Sequence, residues 1–156
     1  MRLTEELKDY FGGIDPGSRT GICVVDLDCN IIEIRTVEFD EYPVEMLHLH
    51  ERGLTNITIE HSASTHIYKR PDTTAAVMLR IAQNVEKNRG MAREIYAFCN
   101  GLGMRTEYTK PAKTKVLSHL FKSITGWAGR TSSHARDAYF VACWLANLIK
   151  MEKMVK

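Results

Sequence analysis

The sequence predicts an α/β domain on a mixed sheet, and three observations predict it. Three β-rich runs near the N-terminus are joined by short turns, which favours antiparallel hairpins. Two more short β runs then alternate with segments of helical periodicity, which favours parallel crossovers. Finally, 156 residues with 44% hydrophobic and 26% charged side chains suit one compact domain, positions 1–156, rather than two.

Residues 10–15 read as a short strand ending at Asp15. Pro16 and Gly17 then turn the chain, because proline presets φ and glycine tolerates positive φ. Gly21 to Leu27 is a β-branched run, and Ile31 to Phe39 alternates in character. Asp28 and Asn30 mark the turn between them, so the three strands form a meander. Pro43 to about Arg52 reads as a helix closed by Gly53, and Asn56 to Glu60 as a strand with Ile57 and Ile59 on one face. A polar loop, His61 to Asp72, leads into a helical region over 73–102, with Gly90 a candidate break and Gly101 closing it. On that helix Met78, Leu79, Ile81 and Ala82 read as core or as dimer packing. Arg105 to Thr109 is a fifth strand, stopped by Pro111. A short helix near 111–122 and a loop with Gly126 and Gly129 precede a last helix from about Ser133. The order is βββαβαβαα.

Of 19 acidic and 21 basic residues, 13 and 5 fall in the first 60 positions, leaving 6 and 16 in the rest. A net charge of +2 therefore hides an acidic half and a basic half, the distribution expected where acidic ligands lie beside a phosphate-attracting surface. The four cysteines form no Cys-x-x-Cys pair, and Cys23 and Cys143 sit in apolar runs, so buried reduced thiols are expected. His48 and His50 lie two apart on a helix and do not share a face, which disfavours a zinc pair. No apolar run approaches the roughly 20 residues that span a bilayer. The charged stretch Met1 to Tyr10 does not resemble a secretory signal, so a cytoplasmic location without membrane contact is expected.

The last helix carries the sharpest chemical clue. Val141, Trp144, Leu145 and Leu148 make a core-facing stripe. Extended backward by three and four residues, the stripe reaches Ala138, Asp137 and His134. A carboxylate buried there is costly unless it is paired or holds a metal; Arg136 or a core hydroxyl is the alternative partner. Ser132 or Ser133 can cap the helix. Asp15 and Glu60 each end a strand, and a right-handed crossover can set the fourth strand parallel to the first and beside it. Both carboxylates then emerge from one sheet edge, where like charges raise each other's pKa unless cations neutralise them. Such an oxygen-rich cluster suits Mg²⁺ or Mn²⁺, with His134 tolerable for the softer Mn²⁺.

Ile14-Asp15-Pro16-Gly17-Ser18-Arg19-Thr20-Gly21, Thr58-Ile59-Glu60 and His134-Ala135-Arg136-Asp137-Ala138 together resemble the motif set of RuvC-type Holliday junction resolvases. The resemblance spans nearly the whole chain, in the family's order. It implies an RNase H-like fold with sheet order 3-2-1-4-5, and a homodimer that nicks two strands of a four-way DNA junction. Asp15, Glu60 and Asp137 match the family's metal-binding acids, and two ions with no small-molecule cofactor are implied. His134 departs from the bacterial pattern, where an Asp is usual, and is similar to the His-x-x-Asp of the RuvC-like domain in RNA-guided CRISPR nucleases. Lys115, four residues after Pro111, matches a lysine placed near the scissile phosphate, with Lys113 as the alternative.

Around these motifs, Lys110, Lys113, Lys115, Lys122 and Arg130 form a basic segment without an acid, suited to phosphate contacts. Tyr68, Lys69 and Arg70, with His66 and Ile67, are candidates to wedge into a junction and hold phosphates. Three other readings stand beside the resolvase: an RNase H-like nuclease acting on RNA or other branched DNA, a catalytically inactive nucleic-acid-binding module, and an actin-like phosphotransferase. The last needs two such domains, and the chain has length for one; no P-loop or paired-glycine dinucleotide motif is present.

Overall fold

A computed structural model describes residues 7–61, 74–111 and 115–155. The strands are β1 (Phe11–Asp15), β2 (Arg19–Val25), β3 (Ile31–Glu38), β4 (Asn56–Glu60) and β5 (Arg105–Thr109). The helices are α1 (Tyr42–Glu51), α2 (Ala75–Gly101), α3 (Ser118–Thr125) and α4 (Ser133–Met154). The five strands form one mixed sheet in the order β3-β2-β1-β4-β5. β1, β2 and β3 pair antiparallel, while β1–β4 and β4–β5 pair parallel. The α/β class, the element order and this strand order are therefore those the sequence led us to expect. Among the described residues, no helix is long and apolar enough to cross a membrane.

Strand alternation sorts the core into two layers. On β2, Ile22 and Val24 face the layer of α1 and α2, meeting Met46, Leu49 and Ile95. Cys23 and Val25 face the other layer, with Phe121 of α3 and Ala138, Ala142 and Leu145 of α4. β1 is buried along its whole length, as a central strand covered on both faces must be.

The approach of α4 to the sheet sets the geometry of everything that follows. A Cβ at Gly13 would lie 2.3 Å from the Ala138 carbonyl oxygen, and one at Gly21 would lie 2.0 Å from that of His134. Glycine in the strands and alanine in the helix let backbone meet backbone, so α4 rides directly over β1 and β2. Of the apolar stripe expected through Val141, Trp144, Leu145 and Leu148, Val141 and Leu145 are buried and Leu148 packs against the core, but Trp144 is 41% exposed; the most buried line runs through Ala138, Ala142, Leu145 and Ile149. Apolar side chains cover much of the α4 circumference, so periodicity alone does not choose the centre of the face; the two glycines do. Gly21→Ala is expected to cost about 3 kcal/mol through backbone overlap, read as a fall in Tm of roughly 6–12 °C for a chain of this size. An unchanged thermal melt would show that α4 does not need this contact.

Other boundaries also move. α2 runs unbroken through Gly90, and positive φ is reached at Gly103 rather than Gly101. Its N-terminal half is not core: Leu79 is 60% exposed and Ile81 41%. α3 starts at Ser118, later than expected, and ends at Gly126 in the left-handed region, the usual glycine stop. All four cysteines are free; Cys23 and Cys99 are buried, whereas Cys29 and Cys143 are half-buried.

Candidate metal centre

Three elements deliver three acids to one point. β1 and β4 run parallel with Ile14 opposite Ile59, so the next residues, Asp15 and Glu60, leave the same end of adjacent strands. α4 is capped at its N-terminus by Ser132, whose hydroxyl accepts from the Ala135 amide at 3.0 Å. One turn further, Asp137 projects toward the same strand ends. One carboxylate oxygen from each of Asp15, Glu60 and Asp137 lies within 4.8 Å of the others. Asp15 and Asp137 are buried and Glu60 is half-buried.

A lysine and a histidine border this cluster. Lys115 Nζ pairs with Asp137 Oδ2, so the expected alternative partner Arg136 is not the one used. Arg136 instead donates to the Val116 and Thr131 carbonyls, tying the segments on either side of α3 to α4. His134 Nδ1 lies 2.9 Å from Asp15 Oδ2, so the histidine stands beside the acids as a hydrogen-bond partner of one of them. Asp15, Glu60, Lys115 and His134 line a common cleft with Asn88 and Arg89 of α2.

Burial and the mutual repulsion of the acids govern the electrostatics of the cluster. Burial, the facing Asp15 carboxyl and the Asp137 charge push Glu60 up to about 9. Asp15 is also raised, chiefly by burial and then by Asp137, against the lowering effects of Glu60 and Lys115. Lys115 is raised: burial alone would lower it, but its hydrogen bond to Asp137 and the charges of all three acids outweigh that. Among the described residues, no donor is placed on Glu60 Oε2, which is buried beside the Asp15 carboxyl. A buried carboxylate oxygen without a donor is costly, and a divalent cation held by the three acids would relieve that cost. The donor set is hard oxygen, the chemistry that Mg²⁺ and Mn²⁺ prefer.

Compared with models of known protein families, the chain matches none, and no curated protein matches it either.

Asp15, Glu60, Asp137, His134 and Lys115, all singled out in the sequence, are brought together. Lys110 is exposed beyond the end of β5, and Lys122 and Arg130 line a different cleft. Tyr68, Lys69, Arg70 and Lys113 lie outside the described residues. Asn88 and Arg89 were not foreseen, since no motif marks them on a long polar helix. Only the crossing of α2 beside β4 brings them to the acids.

Proposed function

We propose that this chain is a divalent-metal-dependent endonuclease of RNase H-like fold, acting on DNA and most closely matched to four-way junctions. What carries the reading is the convergence of Asp15, Glu60 and Asp137, with a buried Glu60 oxygen that no donor reaches among the described residues. Asp15, Glu60 and Asp137 would hold the ions, with His134 orienting Asp15. A divalent ion bound there supplies an activated water and neutralises charge on the scissile phosphate. Cleavage would leave 5′-phosphate and 3′-hydroxyl ends.

The protein's own groups prepare that chemistry. Lys115 compensates Asp137 and adds positive charge at the mouth of the cleft, where a phosphate oxygen would approach. Lys115→Ala is expected to lower the cleavage rate roughly 100-fold at saturating metal. A rate within a few-fold of the parent would remove the lysine from the reaction.

The four-way junction and the homodimer rest on the motif resemblance. The exposed Val77 and Ile81, four residues apart and so on one face of α2, offer apolar side chains for a second copy. Parallel assays on a four-way junction, a flap and an RNA–DNA hybrid, with Mg²⁺ or Mn²⁺, test the proposal. Paired nicks confined to the junction are expected. Preference for the hybrid would favour the RNA-directed reading, and no cleavage of any substrate would favour a binding module.

A further inference from the structure

We propose that a second cleft, on the other side of the α4 N-terminus from the acids, seats a phosphodiester of the bound nucleic-acid strand. The ligand class rests on the nuclease reading; the site itself rests on the side chains that build it. The cleft encloses about 620 Å³ and is lined by Arg19, Lys122 and Arg130, with hydroxyls from Thr36, Ser118 and Ser132.

Four features suit it to a phosphate. Three cations from three parts of the chain converge there: Arg19 opens β2, Lys122 lies on α3, and Arg130 precedes α4. Arg19 has Glu38 at 3.9 Å, a contact between two side chains 69% and 61% exposed, so solvent screens it and the cleft stays positive. Among the described residues, Lys122 and Arg130 have no ion-pair partner. The hydroxyls point the same way. Thr36 Oγ1 and Ser132 Oγ share one hydrogen bond at 2.5 Å, while Ser132 also accepts from the Ala135 amide. Two hydroxyls carry two protons, and their mutual bond uses one, so the other is left to donate to an anion. Finally, α3 starts at Ser118, which lines the cleft, and its N-cap Leu117 supplies no side-chain cap, so the positive end of the helix is not offset there.

The position favours a strand over a free anion. Ser132 lines this cleft and His134, two residues on, lines the acid cleft. A backbone crossing the start of α4 would place one phosphate at the acids and a neighbouring one among Arg19, Lys122 and Arg130. The second contact would set register without reading sequence.

The test is equilibrium binding of a labelled four-way DNA junction to the full chain in EDTA, over a range of salt. Lys122→Ala/Arg130→Ala is expected to weaken binding roughly ten-fold and to reduce the log–log salt slope by about one. Lys150→Ala, a surface cation paired with Asp28, is the control expected to bind like the parent. Unchanged affinity and slope in the double variant overturn the second site while leaving the nuclease reading intact. Weaker binding without a change of slope overturns it too, because a lost phosphate contact must release fewer counterions. A parent chain that binds no nucleic acid overturns both. If millimolar inorganic phosphate removes the contribution of Lys122 and Arg130 from the parent, the cleft is a site for the free anion and the assignment to a strand fails.

Discussion

Asp15→Asn and Asp137→Asn are each expected to lower metal-dependent nicking by on the order of 10³-fold or more, with DNA affinity little changed. Each substitution keeps the size and shape of the side chain and removes one anionic ligand from a cluster whose oxygens lie within 4.8 Å of each other. The fold has no reason to respond strongly, since neither acid sustains the core layers. Asn at position 15 still offers His134 an oxygen in place of Oδ2. At position 137 it leaves Lys115 without its counter-charge, which if anything makes the cleft more attractive to phosphate. Binding and cleavage should therefore separate. Gel-shift affinity measured beside nicking of the same junction makes the comparison, and near-parental nicking by either variant would end the nuclease proposal.

The second large effect concerns stability and pH. In the folded chain Glu60 titrates at about 9, against an ordinary value of 4.5. A carboxyl raised by folding favours the fold most where it is protonated in both states, below about 4.5, and that support is lost as pH rises through about 9. The metal-free protein should thus lose stability at this centre between those limits. A divalent ion reverses the sign by taking the place of the proton. At 100 times its dissociation constant it adds about 2.7 kcal/mol, a rise in Tm of roughly 5–11 °C. The rise should be larger at pH 8 than at pH 6, because at lower pH the ion must displace the Glu60 proton. Glu60→Gln should melt higher than the parent without metal at pH 8 and respond little to Mg²⁺ or Mn²⁺. Thermal melts with and without each ion decide it; an equal response in Glu60→Gln would show that the ion sits elsewhere.

Much of this centre could be read before any coordinates. Asp15 and Glu60 end strands, and a carboxylate at a strand end is recognisable from the turn or polar loop that follows it. Asp137 was visible as a charged residue near an apolar stripe. Val141 and Leu145 of that stripe are buried, but Trp144 was wrongly included, because α4 is apolar over too wide an arc for periodicity to set the edges of the face. Arg89 and Asn88 were missed for a different reason: they join the cleft only through the crossing of α2, and no local pattern encodes a crossing. The start of α3 was misjudged because an amphipathic pattern does not say which flanking residues are helical, and Lys115 to Leu117 are not.

By itself the sequence determined the element types, their order and the identity of the acids, since strand alternation, turn residues and helix caps are short-range effects written in neighbouring side chains. Only the tertiary structure decided how near α4 comes to the sheet. The bare backbones at Gly13 and Gly21 admit the Ala138 and His134 carbonyls, and this contact carries Asp137 to Asp15 and Glu60. Residues more than a hundred positions apart meet there because packed surfaces exclude overlap, a constraint that acts through space and leaves no periodic trace along the chain.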